Sequence, residues 1–368
     1  MNSIYKLSML IVMLCWKTAM ASADALPLAA PLETIVARSD FIVIGKLIKV
    51  VKNPAAKPSP LEPARMITRG GGFYLTEPGK YQFKVLHTVK GMPPAEMTVT
   101  LPAIDSRVYN WTEPIITVGV NVLLFVKRSR GLTNIDLLPT DPILPLAVLP
   151  NSDNRSNAYD LQKGENSPPA LQQVCSILLD SIGDKQLLQA NTYLLKDVVD
   201  PQIPKKLMPF IDDPDEKVQS GVLACLASNQ VVEAIPRIAH LHAKLQVANS
   251  GSGCIEKLED YRVKEAVPYL NVLLFNPYTE VRFCASMALR KAADTTSIPY
   301  LISGLSDPDK TNQYECYATL TRLIPQLGAQ KTIDEFDKNP KGIVLPYLNW
   351  WHEELDGGHR PLHPLSLS

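Results

Sequence analysis

Leucine recurs in the second half of the chain at a nearly constant interval. Leu195, Leu226, Leu258, Leu289 and Leu320 are separated by 31, 32, 31 and 31 residues. A second series, Pro204, Pro236, Pro268 and Pro299, runs in step at 32, 32 and 31. Each proline follows an aliphatic residue, Ile203, Ile235, Val267 or Ile298, and suits the first turn of a helix, where its missing N–H is not needed. A third series, Asp213-Pro214, Asn276-Pro277 and Asp307-Pro308, lies 13 residues before its repeat leucine. Asp or Asn followed by Pro ends one helix and caps the next. The unit is therefore helix, tight turn, helix. One such hairpin cannot bury its apolar face alone, and stacking against like neighbours makes a continuous core.

Four residues before the leucines stand Asn191, Val222, Cys254, Ala285 and Cys316. Most are small and share a helical face with the leucine, which lets adjacent hairpins approach closely. The run Ile298-Pro299-Tyr300-Leu301, then Asp307-Pro308, then Ala318 and Leu320, resembles bacterial HEAT repeats. The resemblance covers about residues 170 to 325 and implies a short helical stack with a binding surface. One unit departs from it. Around His240 to Leu258 the Asx-Pro turn is missing and Asn249-Ser250-Gly251-Ser252-Gly253 stands where a helix would begin, so a longer or distorted turn is expected there. Trp350 and Trp351, after a turn at Asn339 to Gly342, read as a cap on the exposed end.

Residues 35 to 140 change to β periodicity. Phe41 to Val50 reads as a strand bent at Gly45. Tyr81, Phe83, Val85, His87 and Val89 alternate with mostly polar residues in a second, and Met97, Val99 and Leu101 with threonines in a third. Val120 to Val126 suits a buried strand, and Leu132 to Leu138 follows Arg130-Gly131. Five strands in this length suggest a small barrel or sandwich. The stretches Ser39 to Val50, Tyr81 to Gly91 and Gly119 to Val126 resemble the OB-like barrel of tissue-inhibitor-of-metalloproteinase (netrin-like) modules. Those inhibitors set an N-terminal cysteine on the protease zinc. Residues 24 to 140 hold no cysteine, so that mechanism does not carry over. The long stretch Asn53 to Lys80 has five prolines and then Arg69-Gly70-Gly71-Gly72-Phe73-Tyr74. Arg69, Phe73 and Tyr74 make it a candidate contact loop.

The chain thus reads as multidomain, an all-β OB-like barrel followed by an all-α HEAT-repeat solenoid. The expected divisions are a signal peptide at 1–23, the β-barrel domain at 24–140, a linker at 141–169, the solenoid at 170–355 and a flexible tail at 356–368. Lys6, the apolar run Leu7 to Trp16 and the small residues Ala21-Ser22-Ala23 have the form of an export signal. The expected location is periplasmic or secreted. Five cysteines follow that signal: Cys175, Cys225, Cys254, Cys284 and Cys316. They read as buried thiols acting as small apolar side chains, with Cys225–Cys254, on adjacent second helices, as the possible disulfide.

No motif for chemistry stands out. His240 and His242 are two apart, so on a helix their rings diverge. H-E-x-x-H, G-x-S-x-G and C-x-x-C are absent. No catalytic, metal or cofactor-binding residue is assigned and no cofactor is expected. Lys+Arg and Asp+Glu both total 37, which provides no general attraction to nucleic acid or an anionic membrane. The expected role is an exported, non-enzymatic scaffold for an unidentified protein partner, without nucleic acid and without stable membrane insertion after signal cleavage. One alternative is a regulator or protease inhibitor acting through the β domain. The other is an enzyme like the HEAT-related bilin lyases, against which the export signal argues.

Overall fold

The computed structural model describes residues 31–52, 74–76, 79–101, 104–105, 118–119, 121–128, 135–137, 146–149, 169–183, 185–248 and 254–356. The signal peptide, Arg69, Phe73, the Asn249 to Gly253 run and the tail from 357 lie outside them. The chain forms two compact units, Met1–Leu194 and Leu195–Ser368. An antiparallel sheet stands near the N-terminus and a helical region follows.

The first unit is built on two long strands. β1 (Phe41–Lys52) and β3 (Gly79–Lys90) pair antiparallel over their length. The pairing slips at Ile44/Gly45, which is the bend expected at this glycine. A Cβ on Gly45 would sit 3.3 Å from the Phe83 Cβ, so a side chain there would crowd the facing strand. β4 (Glu96–Leu101) pairs antiparallel with β3, and β6 (Asn121–Arg128) with the first half of β1. The short β7 (Ile135–Leu137) runs parallel to β4 and antiparallel to β6. β8 (Leu146–Leu149), inside the stretch read as linker, pairs with β6. β2 (Tyr74–Thr76) and β5 (Ile104–Asp105) form a separate pair. Between β3 and β4 the chain turns at Gly91, where φ is +77° and a Cβ would collide with the Asp40 carbonyl.

Period-two alternation appears where one strand face is exposed, as at Tyr81 and Phe83, which are buried while Lys80 and Lys84 are exposed. β6 is different: Val122 to Val126 are all fully buried. Helix α1 (Leu32–Arg38) accounts for its second covered face. It buries Leu32, Ile35 and Val36 and packs on β6 and on α2 (Ala170–Asp180), which also packs on β3. Lys90 Nζ donates to the carbonyls of Val36 and Ala37 at 2.8 and 3.1 Å, satisfying acceptors at the end of α1. Helices α2 and α3 (Lys185–Leu195), read from sequence as the start of the repeats, lie almost wholly in this first unit.

In the second unit, α4 (Gln202–Leu207) leads to α5 (Glu216–Ser228). α6 (Ala234–Val247) leads to a 3-10 segment, Ile255–Asp260. α7 (Val267–Leu273) pairs with α8 (Thr279–Ala292), and α9 (Ile298–Gly304) with α10 (Lys310–Leu323). All five repeat leucines are fully buried, and Pro268 and Pro299 open α7 and α9. The second elements lie side by side: α5 on the 3-10 segment, that segment on α8, and α8 on α10. The first elements do the same, α6 on α7 and α7 on α9. Gly304 lets α9 approach α10, since a Cβ there would overlap the Cys316 sulfur.

α11 (Ile333–Lys338) and α12 (Pro340–Asp356) follow. The rings that bury this end are Tyr317, Phe336 and Tyr347: Tyr317 stacks on Phe336 at 5.3 Å and meets Tyr347 edge-on at 5.7 Å. Trp350 and Trp351 touch each other at 6.1 Å but remain half-buried. The sealing role expected of them falls to residues further up the chain.

Candidate interaction surface

The helical unit is tied together at both ends of its hairpins. At one end the three Asx-Pro turns use one hydrogen bond. The Oδ1 atoms of Asp213, Asn276 and Asp307 accept the amides of Asp215, Tyr278 and Asp309 at 2.9, 3.0 and 2.8 Å. Proline cannot donate, so the side chain closes the turn over it. Six residues after each Asx, a long side chain returns to the same turn. Gln219 Nε2 donates to the Ile211 carbonyl, Arg282 Nη1 to Asn276 and Pro277, and Gln313 Nε2 to Asp307. Arg282 also crosses to the next hairpin. Its Nε and Nη2 donate to Asp307 Oδ2 and Oδ1 at 2.6 and 3.0 Å, and both side chains are buried. The bond to Asp307 holds the guanidinium pKa above its ordinary value.

At the other end the bonds run back about one repeat. Ser228 Oγ donates to the Lys196 carbonyl, Lys291 Nζ to Glu259 and Arg322 Nη2 to Ala293. Asn229 accepts the Asp200 amide and donates to the Val198 carbonyl. The irregular hairpin is tied most heavily. Gln230, at φ +60°, donates to the Asp260 carbonyl at 2.8 Å and accepts the Arg262 amide at 2.7 Å. The buried Tyr261 donates its hydroxyl to the Val231 carbonyl at 2.6 Å. Lys257 bridges Asp197 and Asp260 at 2.6 and 3.0 Å. Burial opposes its charge, but the two carboxylates outweigh that and raise its pKa.

On this frame stands an exposed aromatic patch. Tyr269 on α7 is 41% exposed and Phe275, just past α7, is 57% exposed. Phe275 meets the half-buried Tyr300 of α9 at 6.2 Å between ring centres. Rigid aromatic side chains left in water on adjacent elements are the composition of an interface core.

The residues singled out in the sequence fare differently. Tyr74 opens β2, where its backbone pairs with Asp105; Arg69 and Phe73 lie outside the described residues. Cys225 and Cys254, the possible disulfide, are free thiols and both are buried. Burial raises all the thiols of this unit, Cys254 to about 12 and Cys225, Cys284 and Cys316 well above the ordinary range. Burial favours the neutral thiol at each, and Cys284 donates to Glu259 Oε1 at 3.6 Å. His240 is exposed and His242 buried, edge-on to Tyr278 at 5.6 Å, so the two rings do diverge. Among the described residues no group of three or more His, Cys, Asp or Glu side chains could hold a metal, and no helix is long and apolar enough to cross a membrane.

Sequence reasoning missed the Arg282–Asp307 pair, Gln230 and the aromatic patch. One local signal was available, the recurrence of Gln219, Arg282 and Gln313 six residues after the Asx. No known protein family matches the chain, and no curated protein matches it.

Proposed function

We propose that the protein is an exported, non-enzymatic binding scaffold whose helical hairpins form a HEAT-like solenoid. The carrying observation is the exposed Phe275 against the half-buried Tyr300, with Tyr269 also exposed on α7. This patch is held on hairpins tied to one another by side-chain bonds about one repeat apart. A frame that fixes such aromatics before contact lowers the ordering cost of binding. The β module reads as an OB-like barrel. The pairing sequence β1–β3–β4–β7–β6 and back to β1, with β4 and β7 parallel, supports that reading. Export rests on the residue 1–23 pattern.

Affinity capture from an envelope or secreted fraction tests the scaffold role. Full-length wild type and an F275A/Y300A variant are compared quantitatively. A partner retained by the wild type and reduced at least about tenfold with the variant supports the role. Recovery of the same proteins in the same amounts by both would remove the patch as the binding surface.

A further inference from the structure

The β1–β3 ribbon carries a second surface, which depends neither on the helical unit nor on the scaffold reading. Register places Lys46 opposite Lys84, Lys49 opposite Gln82, and Val51 opposite Lys80. Tyr81 and Phe83 turn into the core, so Lys80, Gln82 and Lys84 share the outward face. Lys49, Lys80 and Lys84 are exposed and have no ion pair with any described residue. Glu96, opposite Lys84, is the acid on this face of β4, and it accepts from Gln82 at 2.9 Å. Like charges directly opposite one another, as at Lys46 and Lys84, weaken a sheet.

Aliphatic residues stand among these lysines. Ile48 is the extra residue where pairing slips between Leu47 and Lys49, and Leu86 the extra one between Val85 and His87. Bulges re-aim a side chain, and here both end in solvent. Ile48, Leu86 and Val51 are between 37% and 51% exposed.

We propose that this face docks on an anionic lipid surface. A bilayer interface accepts both features at once: ammonium groups remain at the phosphates while aliphatic tips enter the acyl boundary. A single-stranded nucleic acid would call for aromatic stacking residues, and the exposed apolar side chains of this face are aliphatic. An acidic polypeptide would use the lysines and leave Ile48, Val51 and Leu86 in water. The neutral charge of the whole chain is consistent with a local attraction confined to one face.

The test is sedimentation of the full chain with vesicles of phosphatidylcholine alone, or with roughly one-third phosphatidylglycerol, at low and high salt. The expected result is partition onto the anionic vesicles only, lost on raising the salt. A K49E/K80E/K84E variant should bind more than about a hundredfold more weakly, since loss of each lysine charge alone is worth roughly fivefold. An I48S/L86S variant should bind about tenfold more weakly while keeping its salt dependence. All five side chains are exposed, so thermal melts should match the wild type; should the charge reversals fail to fold, K49Q/K80Q/K84Q replaces them, with a smaller loss expected. No partition onto either vesicle, equal partition onto both, or undiminished binding by the lysine variant would overturn the proposal. Polyglutamate bound as tightly as the vesicles would overturn the lipid assignment.

Discussion

The hairpins α7–α8 and α9–α10 differ from the one formed by α6 and the 3-10 segment Ile255–Asp260 in how they are held. The regular pair close their turns with Asn276 and Asp307 and continue into second helices of 14 residues each. Their backbone groups are satisfied within the helices. The irregular hairpin has six residues of 3-10 helix in the corresponding place. Gln230, Tyr261 and Lys257 tie that segment to its neighbours by side-chain bonds. Where backbone regularity is lost, side chains from adjacent units supply the specificity.

Five substitutions break or sharpen this contrast. Asp307→Ala removes the turn bond and strands the buried Arg282 guanidinium. It should cost about 3–5 kcal/mol, read from the shift in denaturant midpoint at constant slope. Asp307→Asn, which keeps the turn acceptor, should cost less. In the irregular hairpin, Gln230→Ala deletes three side-chain bonds, to the Ala227 and Asp260 carbonyls and from the Arg262 amide, and leaves a Cβ at positive φ, for a loss of about 2 kcal/mol. Gln230→Gly also loses the bonds but relieves the left-handed backbone, so it should be milder by roughly 1 kcal/mol. Equal losses for the two would show that the conformation of Gln230 carries no strain. Tyr261→Phe, which removes one hydroxyl bond, should cost about 1 kcal/mol.

The smallest effect concerns pH. Burial raises the Glu315 carboxyl above its ordinary 4.5 despite the Arg290 guanidinium 2.9 Å away. The folded state then holds this proton more tightly than the unfolded one, so its contribution to stability falls as pH rises from about 4.5 through the folded pKa. In thermal melts across that window, Glu315→Gln should flatten the decline.

The sequence carried the periodic parts of this fold well. Leucine and proline spacing placed the hairpins because each repeat must bury the same face. Gly45 marked the irregular point in β1, where the register slips and a Cβ would crowd Phe83 on the facing strand. The ordering of the N-terminal region was less legible. Helix α1, which buries Leu32, Ile35 and Val36, packs on β6 and α2, elements far along the chain whose contact leaves no local pattern. Arg282 and Asp307 are 25 residues apart, and either alone resembles an ordinary surface charge. The lysine face needed the strand register, since Lys46 and Lys84 become neighbours only through pairing. The 3-10 segment was foreseen only as an irregularity, because Leu258 occupies the same buried position as in a true helix.

Hydrogen exchange on the wild type and on Gln230→Ala tests most directly whether side-chain bonds between hairpins hold this unit as one frame. The account predicts that amides of 255–262 lose protection sharply in the variant, while those of α8 and α10 keep theirs. Unchanged protection at 255–262 would contradict it.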